Sequence, residues 1–511
     1  MDNIIYRLLE HRKNIPDKTA IVYRNRPVSY RQLFEDTLIT AGWLRENQFE
    51  AGDGILVFVP MSYNLYRLLL AVFYIGATAV FVDAWADKKR MAQAVEITRP
   101  RGFVGSLKAQ LLRVISPPIR SVPIKLAMWD NPFSRCRMLS MDSFDPACAS
   151  GDDTALITFT TGSTGTPKAA RRTHRFLWTQ HLVLSGHLSI EPDDIDLATL
   201  PVFVLNNLAL GVTSVIPDFN PAKPADINPR VIVEQINRWK ITTSAGSPAF
   251  YEKLADHVES EQIRLPLRRL YVGGAPVFPS LARRFLKAFP ETGVTILYGS
   301  TESEPISGIE ALEVAESDVS RGLMVGRKVD EIDVAVIEPH DGPVSLESGK
   351  TIADYCVPNG EAGEIVVAGD HVLTEYVNSP ESFRQNKIVD GGRIWHRTGD
   401  GGSIDNDGCI SLFGRIKNRI QHGDYDIFTL PIEQKLMELD EVTCSAVIEI
   451  DGQLNVVVES DSDTRDKVLG VLNSMRLPLE NPRVTALEHI PRDPRHHSKV
   501  DYGKLQVIMR A

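Results

Sequence analysis

Short apolar, β-branched runs alternate with longer helical patterns through the first part of the chain. TAIVY (19–23), GILVFVP (54–60), AVFVD (79–83), ALITFT (155–160) and VTILYG (294–299) predict strands. Between them, 28-VSYRQLFEDTLITAGWLRE-46 and 229-PRVIVEQINRWK-240 carry a helical period. This alternation predicts a layered α/β architecture with largely parallel sheets. From about residue 330 the texture changes, and DEIDVAVIEP, GEIVVAG, HVLTEYV and GCISLFG predict strands separated by glycine and acidic turns. After Gly414, EQKLMEL, TCSAVIEI and LNVVVES predict a small α+β unit. The expected organisation is a large N-terminal domain, 1–413, with a β-rich subdomain over about 330–413, and a small C-terminal domain, 414–511.

One stretch, 68-LLLAVFYIGATAVFVDA-84, has nearly the length and apolarity of a membrane span. Gly76 near its middle and Asp83 near its end favour a buried helix, a turn and a buried strand instead, so no transmembrane segment is expected. MDNIIYRLLEHRKNIPDK at the N-terminus is charged throughout and has no signal-peptide core. Lys and Arg total 56 against 66 Asp and Glu, a net charge of −10, and no basic run is interleaved with aromatics, so nucleic acid is not an expected partner. Cys136, Cys148, Cys356, Cys409 and Cys444 are scattered and form no CxxC pair, which predicts neither a disulfide framework nor a zinc site and fits a reducing, cytoplasmic setting.

Chemistry first shows in 158-TFTTGSTGTPKAARRTH-174, where an apolar strand runs into glycines, hydroxyls and a lysine. Glycines let the backbone approach a ligand closely, and successive N–H groups can form an anion-binding nest. A Walker loop needs four residues between its glycines and then Lys-Ser/Thr. Here two residues separate Gly162 from Gly165, Pro167 intervenes and Ala169 follows Lys168, so a Walker-type NTPase is disfavoured.

TTGSTGTPKAARRTH instead resembles the phosphate loop of the adenylate-forming enzymes: acyl-CoA synthetases, luciferases and nonribosomal peptide adenylation domains. Further motifs of that family follow in order: 273-GGAP-276, 298-YGSTE-302, 398-TGD-400, 414-GRIKNRI-420 and 491-PRDPRHHSKVDYGKL-505. The resemblance implies ATP-dependent activation of a small-molecule carboxylic acid as acyl-AMP, with Mg2+ as cofactor and coenzyme A left open. It assigns the β- and γ-phosphates to Thr160, Thr161, Gly162, Ser163, Thr164, Gly165, Thr166 and Lys168. Glu302 would hold Mg2+, aided by the hydroxyl of Thr301 or Thr161. Gly273, Gly274, Ala275 and Pro276 would contact adenine and Tyr298 would stack on it, Gly299 and Ser300 would bind the nucleotide in the same motif, and Asp400 and Arg415 would contact the ribose. Aligning SKVDYGKL on the family's lysine motif makes Lys499 catalytic and leaves Lys504 a solvated helix lysine. His496 and His497 read as polar residues of that motif, and Lys417 falls at the hinge on which the family's C-terminal domain turns as a mobile lid.

The acid and the second half-reaction are read from departures. In 200-LPVFVLNNLALGVTSVIPDFNPAKPA-225, Val204 stands where many members carry a histidine. With Asn206, Asn207, Gly246 and Ser247 it outlines a pocket suited to an aliphatic chain rather than an amino acid, since no acidic partner for an ammonium lies near residue 204. In 420-IQHGDYDIFTLPIEQKL-436, Asp424 replaces a glycine of the family's thiol path. PVFVLNNLALGVTSVIPD, GSPAF, IFTLPIEQ and PRDPRHHSKVDY together resemble the olefin-biosynthesis branch, whose β-lactone synthetases need no thiol. A thiol acceptor, coenzyme A or a carrier protein, is the alternative, and pathway enzymes are the other expected partners; no carrier domain follows the lysine motif. A non-catalytic nucleotide-binding protein is a third reading, disfavoured by the joint presence of Lys168, Glu302, Asp400, Arg415 and Lys499.

Overall fold

In a computed structural model, residues 3–82, 88–128, 150–161, 167–220, 225–422, 425–475, 482–492 and 500–510 are described. The predicted α/β class is observed, with most of the predicted strands and both predicted helices in place. One six-stranded sheet has the order Ile124–Met128, Gly102–Ser106, Gly54–Phe58, Thr78–Phe81, Thr154–Thr161, Pro167–Thr173. Its first five strands are parallel, so all five end on the same edge; the sixth returns antiparallel.

The stretch at 68–84 resolves as predicted into the helix Tyr63–Tyr74 and the strand Thr78–Phe81, joined through Gly76 at φ +75°. Ser62 caps the helix by accepting from Leu65 N, and every residue from Leu65 to Tyr74 is buried. Its all-round apolarity therefore reflects a core position inside the protein. Among the described residues no helix is long and apolar enough to cross a membrane.

A second sheet of fourteen strands joins a parallel part to a largely antiparallel one. Its parallel centre holds Ile195–Ala198, Thr243–Gly246, Arg269–Gly273 and Gly293–Ser300. The hairpin Gly293–Ser300/Ser303–Glu310 then leads into Leu323–Lys328, Cys409–Arg415, Arg393–Ile404, Gly363–Ala368 and Asp333–Ile337. The C-terminal part has its own three-stranded sheet, Cys444–Ile450, Gln453–Glu459 and Arg483–Leu487. Val456 and Val458 of this sheet pack with Val468, Ile432 and Leu436 in a separate core. At about 1.5–3 kcal/mol per fully buried aliphatic side chain, such a cluster is substantial for a unit of this size.

One expectation fails. HVLTEYV (371–377) is not a strand but passes between the two large sheets, making a single bridge to each: Val372 to Ser303 and Tyr376 to Ala170. Leu373 N donates to Glu302 O at 2.7 Å and Val377 N to Ala169 O at 2.9 Å. Its buried apolar residues face two different sheets in turn, so apolar composition without a continuous ladder mimics a strand pattern. The segment stitches the hairpin that carries Lys168 to the turn that carries Glu302.

Candidate active site

The glycine-rich loop is held at its base by a β-ladder in which Thr161 pairs with Pro167 and Thr160 with Lys168. A Walker loop opens a helix, whereas this chain returns as a strand, and the helix His174–His187 starts only after it. Gly162, Ser163, Thr164, Gly165 and Thr166 lie outside the described residues, as do the side chains of Thr160 and Thr161. Alternation along Pro167–Thr173 places Lys168 and Arg172 on one face.

Lys168 is buried and donates to Asn386 Oδ1 at 2.5 Å, with Nζ 5.8 Å from the centroid of the Tyr376 ring. Lys387, fully buried, stands 5.4 Å from the same centroid and donates to the Leu373 carbonyl. Two ammonium groups thus share one aromatic ring. Burial lowers both pKa values, that of Lys387 to about 7; Glu302 opposes the shift in each, and the Lys168 charge reinforces it at Lys387. The Tyr376 hydroxyl donates to Glu302 Oε1 at 3.4 Å, a long bond, and burial drives its pKa upward. Arg172 donates to Thr301 O at 2.8 Å, and its pKa is lowered by burial against the opposing charges of Glu304 and Glu302.

Thr301 and Glu302 form the tip between Gly293–Ser300 and Ser303–Glu310, and Ser300 Oγ accepts from Glu302 N at 3.3 Å. Gly299 is required by close approach: a Cβ there would lie 2.9 Å from Ser303 O. Gly273 ends its strand, and Gly274 turns at φ +87°, a left-handed conformation that suits glycine, leading into Ala275 and Pro276. On the neighbouring antiparallel strands Asp400 and Arg415 are register partners, with Arg415 Nη1 2.6 Å from Asp400 Oδ1. The Asp400 charge raises the Arg415 pKa further above its ordinary value. Tyr298 donates to Asp400 Oδ2 at 2.9 Å. Arg415 also interacts electrostatically with Glu302 and Lys168, so the two groups of residues form one polar cluster.

The five residues expected to line an acyl pocket divide. Val204, Asn206 and Asn207 are buried on the helix Pro201–Leu210. Asn207 Nδ2 donates to Asp196 Oδ2 at 2.8 Å and to Ser214 Oγ at 3.0 Å, which ties it into the core. Asn206 Oδ1 meets His181 Nδ1 at 2.8 Å. Gly246 ends the strand Thr243–Gly246 against Thr199 and Tyr251, and Ser247 caps Pro248–Ser260 by accepting from Phe250 N.

Lys499, His496, His497, Gly423 and Asp424 lie outside the described residues, although Arg492 and Val500 pair across a β-bridge at the base of the lysine motif. Lys504 is exposed on Tyr502–Arg510, with Nζ 3.2 Å from Asp501. Burial lowers the pKa of Lys417, the Arg415 charge reinforces the shift and the Asp501 charge opposes it. The FTLPIEQ segment meets YGKL through Glu433, which accepts from Tyr502 Oη at 2.8 Å and from Val447 N at 2.9 Å.

Tyr376, Asn386, Lys387 and Arg172 belong to the cluster but were not expected from sequence. Arg172 lies inside the glycine-rich motif 158–174. The other three lie before TGD in a stretch whose local pattern carries no phosphate-site signal.

A model of the AMP-binding enzyme family matches residues 8–377. The chain belongs to that family. It is an AMP-forming acid ligase, and similarity to individual relatives extends past residue 377. The olefin β-lactone synthetase of Stenotrophomonas maltophilia (strain K279a) is 29% identical, covering 99% of this chain and 97% of its own. That of Xanthomonas campestris pv. campestris is 31% identical over 80% of this chain and 75% of its own. The amide bond synthetase McbA from Marinactinospora thermotolerans shares the fold, with a TM-score of 0.81 at 22% identity over 99% of both chains.

Proposed function

We propose that this AMP-binding enzyme activates an aliphatic or β-hydroxy acyl acid with ATP, and that the bound acyl-AMP then closes to a β-lactone. The observation that carries the first half is the single cluster joining Lys168, Lys387 and Arg172 around Glu302 to the Tyr298–Asp400–Arg415 group. In the first step a carboxylate oxygen of the acid attacks the α-phosphorus. The bond to the β-phosphate oxygen breaks, and its electron pair leaves with pyrophosphate. Charge accumulates on phosphoryl oxygens, so fixed cations and backbone donors are what the step requires. Lys168 and the Thr160–Thr166 loop grip the departing pyrophosphate, while Arg172 holds the Thr301 carbonyl and thereby the turn bearing Glu302. Asp400 accepts from the ribose hydroxyls with Arg415 beside it, Tyr298 and the Gly273–Pro276 turn flank adenine, and Lys499 contacts the α-phosphate. One buried carboxylate ringed by cations is a donor set that fits a magnesium–polyphosphate pair. Glu302, with the Thr301 or Thr161 hydroxyl, would hold Mg2+, which when bound neutralises phosphate charge.

In the second step the β-hydroxyl oxygen attacks the acyl carbonyl, loses its proton and expels AMP. Similarity to two olefin β-lactone synthetases over most of the chain supports this step. Residues 1–413 would then form the adenylating domain and 414–511 a lid turning at Lys417, with Val204, Asn206, Asn207, Gly246 and Ser247 around the acyl chain. The three described cysteines are free, which supports a cytoplasmic setting.

ATP–pyrophosphate exchange over a panel of acids tests adenylation, and exchange with β-hydroxy acyl acids is the expected result. Incubation of ATP and a β-hydroxy acid with and without coenzyme A then tests the second step. The expected lactone forms without thiol; a strictly coenzyme A-dependent product, or transfer only to a carrier protein, would sink the lactone reading.

A further inference from the structure

Leu107, Leu111, Val114 and Ile115 are each between 61% and 69% exposed. Nine large apolar side chains are strongly exposed among the described residues, and four of them fall in this one stretch. Their spacing, i, i+4, i+7 and i+8, is that of one helical stripe, and Lys108–Leu111 and Leu112–Ile115 form consecutive 3-10 and α-helical turns. The opposite side is anchored: Ile119 and Val122 are buried, Ala109 and Leu112 pack against the same core, and Gln110 donates to the Gly105 and Leu126 carbonyls at 3.0 and 2.9 Å. The stripe is thus a firmly mounted apolar ridge.

Its charge is one-sided. Between Glu96 and Asp130 the sequence has no acidic residue, although the whole chain carries −10. Lys108 and Arg113 lie on the ridge, Arg120 on the short helix Pro117–Ser121 after it and Lys125 on the strand that follows, and among the described residues none of them is ion-paired. Arg120 Nη2 donates to the Val114 carbonyl at 2.6 Å, which sets a guanidinium beside the apolar stripe. Apolar side chains flanked by unpaired basic groups are the composition of an element that lies on an anionic lipid surface. Position agrees. The ridge follows Ser106 at the carboxyl end of its strand, and the parallel strand Thr154–Thr161 ends on the same edge of the sheet. Three strand spacings, about 15 Å, separate the two strands.

We propose that residues 107–125 dock this enzyme on an anionic membrane surface, with Leu107, Leu111, Val114 and Ile115 in the interface and the four basic side chains on lipid headgroups. The docking stands independently of the substrate. That it would also bring an acyl acid from the bilayer close to the activating edge rests on the acyl reading above.

The test is flotation of the full-length protein with phosphatidylglycerol vesicles and, separately, with phosphatidylcholine vesicles, without substrate. Binding to the anionic vesicles, weakened by salt, is expected. Lys108→Glu and Arg113→Glu should each lower partitioning by about fivefold or more, and Leu111→Ser/Val114→Ser should lower it as well. All of these variants should keep wild-type ATP–pyrophosphate exchange with a short soluble acid, which shows that they fold. No flotation with phosphatidylglycerol, or equal flotation of wild type and variants, would overturn the proposal. So would a dimer that Leu111→Ser/Val114→Ser dissociates in a protein that binds no vesicles, because a second copy would then cover the ridge.

Discussion

Tyr298 donates its phenolic hydrogen to Asp400 at 2.9 Å, joining the parallel centre of the large sheet to its antiparallel arm. Asp400 is at the same time bound to Arg415, so one carboxylate serves two partners. Replacing Asp400 by Asn leaves the Arg415 guanidinium without its charge partner, whereas Tyr298→Phe removes only one neutral donor. ATP–pyrophosphate exchange at varied ATP should show KM for ATP raised about tenfold or more in Asp400→Asn and only a few-fold in Tyr298→Phe. Equal effects would mean that Asp400 acts chiefly through Tyr298.

The phosphate side gives a graded series. Lys168→Ala removes a fixed cation and is expected to lower the exchange rate by about a hundredfold or more. Asn386→Ala only frees the Lys168 side chain, so its loss should be smaller and should show mainly as a raised KM for pyrophosphate. Lys387→Met keeps the length of the buried chain and removes its charge beside Tyr376. A Lys387→Met enzyme with wild-type exchange would show that this lysine only packs.

Lys499→Ala should reduce adenylation far more than Lys504→Ala. Lys504 is exposed on the last helix and paired with Asp501, the surroundings of a surface lysine. Single-turnover formation of acyl-AMP reads the difference directly, and equal losses would show that the lysine motif is aligned in the wrong register.

Glu433 supplies a pH prediction. Burial raises its pKa to about 7 from an ordinary 4.5, although Val447 N and Tyr502 Oη donate to it. A raised carboxyl pKa means that the folded state holds a proton the unfolded state releases. The stability that Glu433 contributes therefore falls as pH rises from about 4.5 to about 7, by about 3 kcal/mol. Between about pH 5 and about pH 8 the unfolding free energy from denaturant titration should fall by this amount more in the wild type than in Glu433→Gln. The same pH dependence in the wild type and in Glu433→Gln would refute the assignment.

Ordered short motifs were legible because each is local. GGAP, YGSTE, TGD and GRIKNRI carry their own turn glycines and strand ends, and the structure brings Tyr298, Glu302, Asp400 and Arg415 together from them. The apolar run at 68–84 was likewise legible, because Gly76 marks the turn within it. Other features rest on contacts that no local pattern encodes. Lys168 meets Asn386 across 218 positions, and HVLTEYV imitates a strand while bridging two sheets. The Asn207 Nδ2 likewise donates to Asp196 and Ser214, partners 11 and 7 positions away that no local pattern marks. Side-chain type and spacing thus determined the family chemistry and the order of its parts. Only tertiary packing decided which cations share the Tyr376 ring, because burial and long-range pairing depend on the whole chain.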